Sequence, residues 1–251
     1  MTTLRDEIDA MAEWFGVAPA QVWRDHFVSH ILAAISRTVT TEDVTFFGGT
    51  ALSRTHLPDV RLSEDIDLIT PGQRSEVAAD IERAARRLRR THGTVEFDPP
   101  LTHAAEASPS VIRTDGGLLV QVQLLRQEGY PNWPTEVMTI AQRYSDAPPT
   151  RLRVPTAAAF AAAKLTAWLD RGASRDLYDL YAMAIRGLIT KESFELFTRF
   201  SSLCCLPGRW AWSRLPSEQR WHDELAHQLR LAVGPEEAAH AAEAAWSAAA
   251  R

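Results

Sequence analysis

The sequence predicts an α+β protein: a mixed sheet with helices in the first part, then a mostly helical bundle. Three observations carry this. Short β-prone runs, "VTFF" (44–47), "LSEDIDLI" (62–69) and "GLLVQVQLLR" (117–126), alternate with helical stretches up to "APPTRLRVPT" (147–156). Beyond that point the composition turns to alanine, leucine and tryptophan at helical spacing. The chain of 251 residues, 45% hydrophobic and 24% charged, has enough apolar material for one large domain or two modest ones. A boundary is placed near residue 155, separating 1–155 from 156–251.

Residues 3–38 read as helices with a break near Gly16–Pro19. Trp23, Phe27, Ile31 and Ile35 recur every four residues, which suits one buried stripe. Val44–Phe47 is a short strand ended by Gly48-Gly49, and Thr50–Arg54 follows as a helical turn. Leu62–Ile69 reads as a strand with Ile66 and Leu68 on one face and Asp65 and Asp67 on the other. Pro71-Gly72 closes it. Residues 74–91 form an amphipathic helix, with Val77, Ile81, Ala84 and Leu88 on one side and Arg83, Arg86, Arg87 and Arg90 on the other. "TVEFD" (94–98) is a strand. Residues 101–110 and "YPNWPTE" (130–136) read as loops. Val111–Arg113 and 117–126 pair as a hairpin around Asp115-Gly116-Gly117. The alanine-rich stretch from 236 reads as a last helix.

The formal net charge is −5, so no basic field covers the whole protein, and a nucleic-acid partner needs a local patch. The arginine face of 83, 86, 87 and 90, with Arg89 beside it, is a candidate contact for an RNA backbone. The competing reading, a solvated charged face, is at least as good. Cys204 and Cys205 are adjacent, which suits neither a disulfide framework nor a zinc site, and they read as small buried side chains. The eight histidines show no ligand spacing, and only His56, near the glycines, stands out. Trp210, Trp212 and Trp221 read as core of the helical part ahead of base-stacking residues. The first residues lack the apolar stretch of a signal peptide, and "AAAFAAA" (157–163) is too short to span a bilayer. The expectation is a cytoplasmic protein with no membrane partner.

The chemistry concentrates in "FFGGTALSRTHLPDVRLSEDIDLIT" (46–70). Side chains at i and i+2 of a strand project to one side, roughly 6–7 Å apart. Two carboxylates so placed repel each other unless cations or water reach them. Mg²⁺ takes oxygen ligands and is commonly held by one or two carboxylates plus substrate phosphates. Two such ions can activate an attacking oxygen and neutralise a leaving pyrophosphate. Asp65 and Asp67 are therefore the candidate metal ligands. Gly48, Gly49 and Thr50 let backbone N–H groups approach phosphate, while Ser53 and Ser63 add hydroxyls. Of the two nearby arginines, Arg54 and Arg61, the second is the better candidate to steer a triphosphate. A lone D-x-D or Gly-Gly is common. The order strand, GG-[ST], connection, strand with D-x-D is much more specific.

That order is the one found in the nucleotidyltransferase fold shared with DNA polymerase β. The full string "GGTALSRTHLPDVRLSEDIDL" resembles the AbiEii/AbiGii-type nucleotidyltransferase toxin family, which includes the mycobacterial MenT toxins. "KLTAWLDRGASRDLYDLYAM" (164–183) resembles the family's downstream motif, about a hundred residues later and in the expected order. The resemblance implies a polymerase-β-like core completed by the helical part. It implies transfer of a nucleoside monophosphate from an NTP, with Mg²⁺, to the 3′ end of tRNA. The consequence is blocked translation, and a cognate antitoxin is the expected protein partner. By the same resemblance Ser63, Asp65 and Asp67 fall on the metal and phosphate motif and Lys164 on a phosphate-contacting lysine. Asp176 and Asp179 lie in the last motif, with Asp179 the preferred catalytic member.

One departure is visible. Many polymerase-β-like enzymes carry a third carboxylate on a neighbouring strand. Here the candidate strand offers Gln121 and Gln123, which can ligate a cation but cannot take a proton. Glu96 and Asp98 are poorer substitutes. This keeps two alternatives open: a nucleotidyltransferase acting on a protein or small molecule, and a non-catalytic nucleotide-binding regulator.

Overall fold

The computed structural model describes residues 3–106, 108–203, 205 and 208–251. The reading of Cys204 falls outside them. Helix α1 (Leu4–Phe15) starts at a capping box. The Thr3 hydroxyl accepts from the Asp6 N–H, and the Asp6 carboxylate accepts from the Thr3 N–H at 2.8 Å. Helix α2 (Pro19–Ser36) opens on a proline, which suits a first turn with no partner for its N–H. Phe27, Ile31 and Ile35 are fully buried along it, and Trp23 is half-buried.

Seven strands form one mixed sheet among the described residues. In chain order the elements are β1 (Thr45–Phe47), α3 (Gly48–Ser53), β2 (Ile66–Thr70), α4 (Arg74–Arg86), α5 (Arg89–His92), β3 (Val95–Asp98), β4 (Ser110–Thr114), β5 (Leu119–Arg126), β6 (Thr135–Thr139) and β7 (Arg151–Pro155). The strand order is β3-β4-β5-β2-β1-β7-β6. The β2–β5 and β1–β7 pairs are parallel, while β1–β2, β3–β4 and β4–β5 are antiparallel. Phe46, Ile66, Leu68, Val122 and Leu124 bury one face of the central strands.

Three expectations shift. The strand predicted over Leu62–Ile69 begins only at Ile66, because Leu62 is drawn into a separate cluster with Ile8, Phe15, Val22 and Tyr144. The helix predicted over 74–91 divides into α4 and α5. Like charges four apart, Arg83 with Arg87 and Arg86 with Arg90, disfavour a continuous helix there. Strand β6 lies where "YPNWPTE" suggested only a loop, since Pro131 and Pro134 mask the β signal just before it.

The chain divides into two compact units, Met1–Val154 and Pro155–Arg251. The second contains α6 (Ala157–Arg171), α7 (Ser174–Ile185), α8 (Lys191–Phe200), a 3₁₀ turn over Arg209–Trp212, α9 (Glu218–Leu225) and α10 (Pro235–Ala249). Thr156 caps α6, its hydroxyl accepting from the Ala159 N–H. Trp221 and Trp246 are buried, and the Trp221 indole N–H donates to the Val233 carbonyl at 2.8 Å. Trp212 is also buried, whereas Trp210 is exposed. Cys205 is exposed, contrary to its reading as a buried small side chain. Among the described residues no helix is long and apolar enough to cross a membrane.

Candidate active site

The first cluster lies where β1 gives way to α3. Gly48 has φ +78°, a conformation that L side chains rarely adopt, and a Cβ built on it would collide with Asp67 Oδ2. The carboxylate therefore lies directly against the glycine backbone. A Cβ on Gly49 would fall 2.8 Å from Arg61 Nη2 and 3.1 Å from Ser63 Oγ. The Thr50 hydroxyl donates to Ser63 Oγ at 2.9 Å, joining the loop to the segment that leads into β2. Asp65 stands just before β2 and Asp67 within it, and both are half-buried. Gly48, Gly49, Thr50, Arg61, Ser63 and Asp67 are thus assembled in one place.

Two arginines and a serine behave differently from a simple phosphate-facing set. Arg54 is fully buried. It pairs with Asp25 at 2.7 Å and donates to the Ser29 hydroxyl and the Ala141 carbonyl, so it holds the fold rather than a triphosphate. Burial raises the Asp25 pKa, but Arg143 and Arg54 outweigh that and hold it below the usual carboxylate range. The same surroundings, burial first and then the Asp25 charge, push the Tyr144 hydroxyl far up. Arg61 is also buried, with Nη1 donating to the Leu62 carbonyl, so its charge lies beneath the glycine loop. Ser53 is buried and its hydroxyl donates to the Thr50 carbonyl, which commits its proton inside α3.

The neighbouring strand carries the two glutamines singled out in the sequence. Gln123 on β5 pairs in register with Asp67, whereas Gln121 pairs with Val111 and is exposed. The Gln123 side-chain amide donates to the Glu106 carbonyl at 2.7 Å. Glu106 Oε1 lies 2.9 Å from Arg126 Nε. Tyr130, 6.2 Å from the Phe47 ring, has its hydroxyl pKa raised by burial and then by the charges of Asp67 and Glu106. The Glu106 carboxylate, on the segment before β4, thus pairs with Arg126 at the end of β5, and its charge reaches Tyr130 together with that of Asp67. Neither Glu106 nor Tyr130 had a sequence signal, because each sits in a stretch read as loop.

The second unit contains its own ionic cluster. Lys164 Nζ lies 2.7 Å from Asp179 and 3.0 Å from Asp176, and all three side chains are buried. Arg171 adds two bonds to Asp176, of 2.7 and 3.0 Å. Burial pushes the Asp176 pKa up, but Lys164 and Arg171 outweigh it and hold this carboxyl well below the ordinary range. The spacing of Asp176 and Asp179 along one face of α7 brings both to a single lysine on α6.

The histidines do show a ligand arrangement, contrary to the sequence reading. His26 and His30, one turn apart on α2, meet His92 at the end of α5. Burial, then the His30 and His26 charges, lower the His92 pKa to about 4. Burial likewise lowers that of His30. His56 stays apart from them, with Nε2 4.0 Å from Glu136.

Comparison with known proteins bears on the fold and the family. A solved structure of MenT4, a nucleotidyltransferase toxin from Mycobacterium tuberculosis H37Rv, is 22% identical, covers 92% of this chain and 84% of that one, and superposes with a TM-score of 0.68. It shows a shared fold. A nucleotidyltransferase-like protein from Paracoccidioides brasiliensis is 15% identical, covers 64% of this chain and 77% of that one, and has a TM-score of 0.39. No curated protein matches. The model of the nucleotidyl transferase AbiEii toxin family, a type IV toxin–antitoxin system, matches residues 30–248, which include both clusters of acids. The chain belongs to the AbiEii family of nucleotidyltransferase toxins.

Proposed function

We propose that this nucleotidyltransferase toxin transfers a nucleoside monophosphate from an NTP to the 3′ end of tRNA and so blocks translation. The observation that carries the reading is the contact of the Asp67 carboxylate with the Gly48 backbone, which brings a candidate cation ligand directly against the glycine turn. The donor set of Asp65 and Asp67 is all oxygen, which suits Mg²⁺, and two ions can share it. When bound, the metal neutralises charge on the triphosphate.

The protein's own groups do the rest. Backbone N–H groups of Gly48 and Gly49, with Thr50 and Ser63, hold phosphate oxygens. The buried Arg61 charge lowers the cost of bringing a triphosphate to the loop. The acceptor's 3′-oxygen forms a bond to the α-phosphorus as the bond to pyrophosphate breaks. Its proton passes to a carboxylate, a role we assign to Glu106, whose backbone carbonyl accepts from the Gln123 amide and whose Oε1 pairs with Arg126. Lys164 and Asp179 contribute a phosphate contact and an acid of the downstream motif. Catalysis is mainly positioning and charge neutralisation. A cognate antitoxin protein holds the activity in check.

The test is incubation with Mg²⁺, total tRNA and each α-³²P-labelled NTP in turn, with Asp65→Ala alongside. Label on tRNA from one nucleotide, absent in the variant, supports the reading. Wild-type transfer by Asp65→Ala would end the metal assignment. A second reading, a protein or small-molecule acceptor, draws on the net charge of −5. Label on extract protein or small molecules, with none on RNA, would establish it.

A further inference from the structure

Outside the nucleotide site, the first unit gathers three imidazoles and a carboxylate. His26 and His30 are placed one turn apart on α2, so their rings lie on one face. His92 reaches them from α5, and one ligand atom from each of the three lies within 4.8 Å of the others. Asp146, in the segment after β6, lies 3.0 Å from His26 Nε2 and 3.4 Å from His30 Nε2. The two Nε2 atoms are 3.1 Å apart. Ligands roughly 2.0–2.1 Å from a tetrahedral cation are separated by about 3.3 Å, so these three distances suit one coordination sphere.

Proton placement gives a second argument. Take the triangle of His26 Nε2, His30 Nε2 and the ionised Asp146 oxygen. If both nitrogens carry protons, two N–H groups face each other. If only one does, the other sets its lone pair against the carboxylate. Every assignment leaves one edge mismatched. A cation at the centre removes the conflict, since all three then point lone pairs at it.

The fourth group, His92, has a polar neighbour at its Nδ1. The Thr91 hydroxyl lies 3.1 Å from the Leu88 carbonyl and 2.8 Å from His92 Nδ1, so it can give its proton to the carbonyl and accept one from the imidazole. The tautomer protonated at Nδ1 is compatible with that contact and presents a lone pair on His92 Nε2, as when an outer partner orients a metal-ligating histidine. The side chain of Asp146 is 44% exposed, which leaves a route for loading from solvent.

We propose that His26, His30, His92 and Asp146 form a site for a divalent transition metal, with zinc the cation that three imidazoles and one carboxylate suit best. The metal ties α2, α5 and the segment after β6 together. It is separate from the oxygen-only site at Asp65 and Asp67, which favours a hard cation.

The test uses the full chain, stripped with EDTA, dialysed, and titrated with Co²⁺ and then Zn²⁺. To remove the other acids from consideration, an Asp65→Ala, Asp67→Ala chain is titrated in parallel. The expected result in both is one equivalent of Co²⁺ with the strong visible absorption of a tetrahedral complex, displaced by one equivalent of Zn²⁺. At a hundred times its Kd, Zn²⁺ should raise Tm by about 5–10 °C. His92→Gln and His30→Gln should each weaken Zn²⁺ binding at least tenfold and lose the colour. The proposal falls if Co²⁺ gives only the weak absorption of an octahedral complex. It falls equally if binding disappears in the Asp65→Ala, Asp67→Ala chain or survives unchanged in His92→Gln. The wild-type spectrum decides the matter even if a histidine variant does not fold.

Discussion

Gly48 and Asp67 are in contact such that no side chain fits between them: a Cβ on the glycine would overlap the Oδ2 of the aspartate. The glycine also has φ +78°, which costs an L residue about 1–2 kcal/mol. Gly48→Ala should therefore do two things. It should lower stability by about that amount, and it should push the Asp67 carboxylate off its position. Transfer should fall by at least about a hundredfold while the circular dichroism spectrum is kept. Wild-type transfer by a folded Gly48→Ala chain would mean that the contact has no part in the reaction.

Glu106 is the proposed proton acceptor in place of an acid on β5. Gln123, in register with Asp67, anchors the Glu106 backbone through a 2.7 Å bond from its amide. Glu106→Gln keeps the shape and removes the proton acceptor, and should lower kcat by about 10²–10⁴ with little change in KM. Gln123→Ala should cut kcat less, since it loosens Glu106 without removing it. A Glu106→Gln chain that turns over normally would leave the proton to Asp179 or to water.

Local pattern explains what was legible in the sequence. The glycine pair and the Asp65–Asp67 spacing follow from short-range geometry, and so do the central strands, whereas the Lys164 to Asp179 segment stood out only through its resemblance to the family's downstream motif. What was hidden depends on long-range placement. Arg54 looks like a phosphate ligand until Asp25, 29 residues earlier, is seen to bury its charge. Ser53 looks available until its hydroxyl is found on its own helix. Glu106 had no periodic signal because it sits in an irregular segment. His92 lies far along the chain from its two partners, so no spacing rule could join them. The late start of β2 follows from the packing of Leu62 against α1 and α2, which strand propensity does not encode.

Two buried carboxylates should make this protein sensitive to acid. Asp25 and Asp176 both have folded pKa values below their unfolded ones, because nearby arginine and lysine charges outweigh burial. Between the two values the unfolded chain binds more protons than the folded one. The stabilisation is therefore complete above the ordinary carboxylate pKa of about 3.9 and is lost as pH falls from there towards the folded values. The urea midpoint should drop between pH 5 and pH 3. Asp176→Asn should be less stable at pH 7 yet show a shallower drop, because one of the two titrations is gone. Equal slopes in the two chains would mean that Asp176 keeps its ordinary pKa.

Lys164 holds both Asp176 and Asp179, so substitutions in this trio differ in what they test. Lys164→Ala removes the cation that two buried carboxylates, Asp176 and Asp179, share. Breaking a buried pair from one side costs about 3–5 kcal/mol, and Lys164→Ala should be destabilised on that scale. Its inactivity would therefore say little about chemistry. Asp179→Asn keeps the Lys164–Asp176 pair and the volume of the side chain. It should cost less than Lys164→Ala in a urea titration while lowering transfer by at least about a hundredfold. If Asp179→Asn were as unstable as Lys164→Ala, or if it transferred nucleotide normally, Asp179 would be a structural partner of the lysine and the reaction would depend on the acids of the first unit alone.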